Sequence, residues 1–213
     1  VSGKDRTTVG SAVRDGPYAV LHGPGVIFEK LGKHNFSIGP GSFFQTCTRQ
    51  TEKLCETVVE MARGGRRDLA LDLFCGTGPI AHYLSAEYVK VIGVDGEKSA
   101  IESAMENARL NGCSNIFFEA GALDRMACYH GASRPDLVVV DPPRNGIHAE
   151  ALKEIAGLGA EKLIYVSCNP ATFARDARQI CADDAYRLVR VQPIDMFPQT
   201  AHVETVSLFQ KKD

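Results

Sequence analysis

Apolar and polar positions change period twice along the chain. Residues 18–30 (YAVLHGPGVIFEK) read as two short strands around a Gly23-Pro24-Gly25 turn, with a third strand expected near His34–Ile38. Gly39-Pro40-Gly41 then breaks the pattern. From Thr48 to Arg63 the period turns helical, with Leu54, Val58 and Met61 on one face and Gly64-Gly65 as the stop. Beyond Asp68, strand and helix patterns alternate. Strands are predicted over Leu69–Phe74, Val89–Val94, Ile116–Glu119, Leu137–Val140 and Leu163–Ser167. Helices are predicted over Pro79–Ala86, Glu97–Leu110 and Ala171–Cys181, the second burying Ile101, Ala104, Met105 and Ala108. The last two apolar stretches, Tyr186–Ile194 and Val203–Phe209, follow each other with no helix between them. The pattern predicts an α/β fold: a mostly parallel seven-stranded sheet covered by helices and finished by an antiparallel C-terminal hairpin.

Open sheets of this kind bind ligands beyond the carboxyl ends of their strands. Four strand ends carry polar, chemically capable groups. The first reads Leu71-Asp72-Leu73-Phe74-Cys75-Gly76-Thr77-Gly78 and the second Gly93-Val94-Asp95-Gly96. Gly76 and Gly78 allow a ligand close to the backbone, and Asp95 stands where an acid can bind ribose hydroxyls. Ala81 occupies the third glycine position of a dinucleotide fingerprint. A nucleoside cofactor without pyrophosphate, S-adenosylmethionine, fits better than NAD or FAD. A tight strand–helix turn with no ligand is the plainer alternative.

Asp141-Pro142-Pro143-Arg144 ends another strand. Its prolines fix the backbone and remove two donors, so Asp141 and rigid carbonyls face the cleft. Arg144 stands where many amino-group methyltransferases carry a base-stacking aromatic, which argues against chemistry on an exocyclic nitrogen. Ser167-Cys168-Asn169-Pro170 ends a further strand just before a proline-started helix, whose N-terminus is expected to favour the Cys168 thiolate. A thiolate there suits addition to carbon 6 of uracil, which turns the poorly nucleophilic carbon 5 into an enolate carbon able to take a methyl group. A buried, inert thiol is the competing reading. The carbon-5 proton then needs a base. Glu204 is the candidate, with His202 as its competitor, and partial burial would raise the Glu204 pKa.

Composition narrows the field. A chain of 213 residues suffices for one α/β domain, and no apolar run approaches the roughly 18 residues of a membrane helix. The polar stretch Val1–Asp15 carries no signal-peptide core, and the missing initiator Met leads us to expect a piece of a longer protein. The seven cysteines are odd in number and lack C-x-x-C spacing, which argues against a disulfide framework, a zinc site or an iron–sulfur site, and for a reducing compartment. A net charge of −2 is low for a domain that holds RNA by itself.

Taken together, Gly41-Ser42-Phe43-Phe44-Gln45, Leu71–Gly78, Asp141–Arg144, Ser167–Pro170, Asp195–Thr200 and His202-Val203-Glu204 resemble the RNA uracil-5 methyltransferase family, over about Val26 to Phe209. The resemblance implies a Rossmann-like class I methyltransferase domain over residues 41–213, with residues 1–40 the remnant of a central β-rich domain. It implies Cys168 as nucleophile and Glu204 as base. Gln45, Phe74, Gly76, Gly78, Asp95 and Asp141 become cofactor contacts for S-adenosylmethionine. Phe43 becomes the aromatic beside a flipped-out base, with Arg144 read as a second substrate contact. Pro79 stands where the family often has Asn, and Asp95 where it commonly has Glu. The implied partner is ribosomal or transfer RNA, the Asp195–Glu204 segment leaning to ribosomal members. The chain is expected to be cytoplasmic, monomeric and metal-free. The alternatives are transfer-RNA T-loop methylation, methylation of another base atom, or a silent domain that binds cofactor or RNA. Absence of the RNA-binding part would account for the low charge.

Overall fold

The computed structural model describes residues 19–40, 42–121, 134–182 and 185–212. Val1–Asp15, Tyr18, Gly41 and Cys128 lie outside them. Seven strands form one sheet in the order β5-β4-β3-β6-β7-β9-β8. These are β3 (Leu69–Leu73), β4 (Lys90–Asp95), β5 (Ile116–Ala120), β6 (Leu137–Val140), β7 (Lys162–Ser167), β8 (Tyr186–Ile194) and β9 (Glu204–Lys211). All neighbours pair in parallel except β9, which runs antiparallel to both β7 and β8. The expected architecture is therefore present, with the C-terminal hairpin folded so that its second strand inserts next to β7.

The central strands read as continuous apolar runs because both faces are covered. Side chains alternate between two cores. Ala70, Leu137, Val139, Ile164, Val166 and Val206 pack with α1 (Thr48–Ala62), while Leu71, Leu73, Val138, Val140, Leu163 and Tyr165 face the other side. That second side is covered by α4 (Ala149–Gly157) and α5 (Pro170–Ile180), through Leu152, Ile155, Phe173 and Ile180. Helix α4 was missed by the periodicity reading: only Leu152 and Ile155 of its nine residues are buried, too few to print a stripe.

Two other readings are corrected. Residues 19–26 form no strand, so Gly23-Pro24-Gly25 is not a hairpin turn. The hairpin instead joins β1 (Ile27–Leu31) to β2 (His34–Ile38) across Gly32, whose φ of 59° favours glycine. In α3 (Lys98–Leu110) Met105 faces solvent and Asn107 faces inward. Polar bonding reverses that choice. Asn107 Oδ1 accepts from the Ser37 amide (2.8 Å), and Asn111 brackets Asn35 with bonds of 2.8 and 2.7 Å. These asparagines satisfy backbone groups of β2 that no third strand meets. Leu31 and Phe36 of the hairpin are fully buried in the α1-side core. Among the described residues no helix is long and apolar enough to cross a membrane.

Candidate active site

The alternation that puts Ala70, Val91, Val139, Val166 and Val206 on the α1 side continues, two residues on, to Asp72, Gly93, Asp141 and Cys168, and on the antiparallel β9, two residues back, to Glu204. One face of the sheet thus delivers its reactive groups to one edge. Register brings two of them together: Ser167 pairs with Thr205 on β9, so the next opposing residues are Cys168 and Glu204.

Glu204 is 3% exposed, and its Oε2 has no hydrogen-bond partner. Burial, and then the charge of Asp141, push its pKa up to about 7, with Arg144 opposing. Burial pushes Asp141 up to about 7 as well. Cys168 is half-buried, and burial followed by the charges of Glu204 and Asp141 raises its pKa, again against Arg144. The expected thiolate is not favoured at rest: burial, reinforced by two nearby carboxylates, raises the Cys168 pKa and keeps the group a thiol. His202 is exposed, with its ring 6.1 Å from that of Phe197.

The glycine turn after β3 is shaped by its backbone. Phe74 has φ of 62°, Gly76 54° and Gly78 86°, and Gly78 caps α2 (Pro79–Leu84). A Cβ at Gly78 would lie 2.7 Å from the Phe118 ring, whereas one at Gly76 would meet nothing within 4 Å. Space is therefore open above Gly76 and closed at Gly78. Both oxygens of Asp95 are held, Oδ2 by the Gly76 amide (2.9 Å) and Oδ1 by the Glu97 amide (2.8 Å). Asp72, fully buried beneath the turn, accepts from the Ala81 amide (2.9 Å) and leaves Oδ1 unpartnered. Burial, then Asp141, raises its pKa well above the ordinary value, with Asp95 adding to the effect. An acidic cluster in which Asp141 and Asp95 both act on Asp72 suits a cationic nucleoside better than a pyrophosphate.

Gln45 is half-buried beyond β2, next to Phe44, whose ring lies 5.6 Å from that of Phe36. Phe43 is 64% exposed and Arg144 is exposed, so both face solvent. Cys168, Glu204, Asp141 and Arg144 are linked by electrostatics, and Asp141 acts on Asp72 as well; Gln45 and Phe43 lie outside this charged group. Two buried acids went unassigned in the sequence. Asp72 carried a signal, being polar inside the apolar run Leu69–Leu73. Asp176 carried another, sitting on the buried stripe of α5 with Phe173 and Ile180.

The family model described as tRNA (uracil-5-)-methyltransferase matches residues 32–212. The chain belongs to that family. Family relatives include RNA methyltransferases otherwise uncharacterised from Chlorobaculum tepidum, 41% identical over 198 residues, and Caldanaerobacter subterraneus, 43% identical over 192 residues. The matches cover 91% and 90% of this chain but 41% and 42% of those proteins, so the chain spans about two-fifths of their length. Among solved structures it is similar to the Pyrococcus abyssi tRNA (uracil-54, C5)-methyltransferase complexed with S-adenosyl-L-homocysteine. That match has 34% identity and a TM-score of 0.77, over 88% of this chain and 45% of the other. An Agrobacterium tumefaciens SAM-dependent methyltransferase shares the fold at 16% identity and a TM-score of 0.66. The fold is that of the class I methyltransferases.

Proposed function

We propose that this family member is the catalytic part of an RNA methyltransferase that moves a methyl group from S-adenosylmethionine to carbon 5 of a uridine, through a covalent bond between Cys168 and carbon 6. The observation that carries the reading is the meeting of Cys168, Glu204, Asp141 and Arg144 at one sheet edge, beside the carboxylate-floored turn over Gly76. When bound, the cofactor supplies an electrophilic methyl carbon. Gln45, Phe74, Gly76, Gly78, Asp95 and Asp141 would hold it, Asp95 being pre-oriented by its two amide bonds with lone pairs left for ribose hydroxyls.

Phe43 and Arg144 engage the RNA, Phe43 as the exposed aromatic against an unstacked base. The Cys168 thiol loses its proton to solvent with help from Arg144. Sulfur bonds to carbon 6, and the ring's π electrons move onto carbon 5 and O4. Carbon 5 would take the methyl group as the methyl–sulfur bond of the sulfonium breaks, its electron pair staying on sulfur so that S-adenosylhomocysteine leaves. Glu204, whose pKa burial lifts to about 7, removes the carbon-5 proton. The freed pair restores the ring double bond as the carbon–sulfur bond breaks and the thiolate leaves. The β1–β2 hairpin fits as the end of a β-rich central domain.

Ribosomal RNA is the substrate the Asp195–Glu204 segment favours. A second reading, transfer RNA, is favoured by the relative from P. abyssi, which acts on a tRNA uridine. Mass mapping of 5-methyluridine in both RNAs, from cells with and without the gene, tests both. Loss at one ribosomal site supports the first and loss in transfer RNA the second. No lost methyluridine in either contradicts the proposal.

A further inference from the structure

The loop that carries Arg144 is tied, atom by atom, to the helix that follows Cys168. The Arg144 carbonyl accepts from Asn169 Nδ2 and from Thr172 Oγ1, each at 3.2 Å. The Asn145 carbonyl accepts from the Arg175 guanidinium at 2.9 Å, and the Ala149 carbonyl from Gln179 Nε2 at 2.9 Å. At the centre is Asp176, fully buried on the apolar stripe of α5. Its Oδ2 accepts from the Ile147 amide (2.9 Å) and from the Tyr165 hydroxyl (2.7 Å), and its Oδ1 from Arg175 Nε (2.7 Å). Gly146, with φ of 72°, lies so close that a Cβ would run into the Asp176 carboxylate and the Arg175 guanidinium. The loop is pressed onto this acid with no slack.

A carboxylate is costly to bury, and one apolar residue at this position would fill the stripe as Phe173 and Ile180 do. What the acid adds is a fixed geometry between three pieces of chain: β7 with Cys168 at its end, α5, and the loop after Asp141. We propose that Asp176, working with Arg175, is a positioning residue that holds Arg144 against Cys168 and Glu204. The proposal rests on the role given to Arg144 above. Cys168 is faced by Glu204 from β9, by Asp141 from the end of β6 and by Arg144 from the loop, and of these three charged groups Arg144 alone favours its thiolate, beside a hydrogen bond from the backbone of Cys168. Letting the loop drift by an ångström takes away the one cation and leaves both acids, so a defect in Asp176 is felt at a thiol it does not touch.

The test follows alkylation of Cys168 by iodoacetamide against pH, read by peptide mass mapping, with thermal unfolding measured alongside. It needs no RNA. Arg144→Gln and Asp176→Asn are each expected to move the profile to higher pH, slowing labelling at pH 7 by about threefold or more, because only the thiolate reacts. The double variant is expected to move no further than Arg144→Gln alone. Tyr165→Phe removes one bond to Asp176 but leaves the loop attached, so it lowers the melting temperature without moving the profile. If Asp176→Asn folds and labels as the parent does while Arg144→Gln is shifted, Asp176 is structural only and the proposal is overturned. If Arg144→Gln is itself unshifted, the role of Arg144 beneath the proposal fails instead. Should Asp176→Asn not fold, Arg175→Met breaks the Asn145 contact from the exposed side of α5, and a parent-like profile there overturns the proposal equally.

Discussion

Glu204 concentrates the chemistry of the site, and its burial has a consequence for stability that needs no substrate. Its pKa rises from the ordinary 4.5 to about 7, so the folded protein holds that proton more tightly than the unfolded chain. The cost of the charge is absent below about pH 4.5, grows through the interval and is complete above about pH 7. For an almost fully buried carboxylate this amounts to at most about 3 kcal/mol. Glu204→Gln should therefore be more stable than the parent at pH 8 and no more stable at pH 4, as measured by denaturant unfolding at both values. Equal effects at the two values would mean that Glu204 ionises freely in the fold. The acid was legible as a candidate because His202-Val203-Glu204 begins an apolar strand. Its opposition to Cys168 was not, since antiparallel register between β7 and β9 is set by the path of the whole hairpin. The thiol shows the same limit: a proline-started helix is visible in sequence, but the burial that raises the thiol, and the two acids that add to it, arise only when distant segments meet in the fold.

Among the elements, the turn between β3 and α2 makes the most local demand. Gly78 adopts φ of 86° and has the Phe118 ring of β5 where a side chain would go. Gly78→Ala pays both for the left-handed backbone and for displacing that ring, about 1–3 kcal/mol of stability. The turn above it should lose its shape. Calorimetry with S-adenosyl-L-homocysteine should show affinity reduced by tenfold or more, whereas Gly112→Ala, at a positive φ in open space away from the turn, should bind as the parent does. Unchanged affinity in Gly78→Ala would remove the turn from the cofactor site. Strands were the most legible elements, because both-face burial writes runs such as Leu137–Val140. Helix α4 and the inward Asn107 were not legible, since one buries too little and the other is turned inward by backbone groups of β2.

At the level of the whole molecule, the side chains proposed for the site all belong to this chain, whereas its charge does not favour RNA. Net charge is −2, and the chain spans about two-fifths of its relatives' length. It should bind cofactor yet hold RNA weakly, with binding that falls as salt rises. A full-length relative should bind the same RNA at least about tenfold tighter, or about 1.4 kcal/mol; equal affinity would mean that this domain grips RNA unaided. The sheet order could be read only as a class from the sequence, because insertion of β9 between β7 and β8 leaves no local mark. That insertion is nonetheless what puts Glu204, the proposed base, opposite Cys168, the proposed nucleophile. The most direct test of this arrangement is denaturing electrophoresis of Glu204→Gln after incubation with uridine RNA and S-adenosylmethionine. A methylated base that cannot lose its carbon-5 proton should stay bonded to Cys168, so a protein–RNA band should accumulate and vanish when Cys168→Ala is added. Normal multiple turnover by Glu204→Gln, or a band that survives Cys168→Ala, would contradict the account.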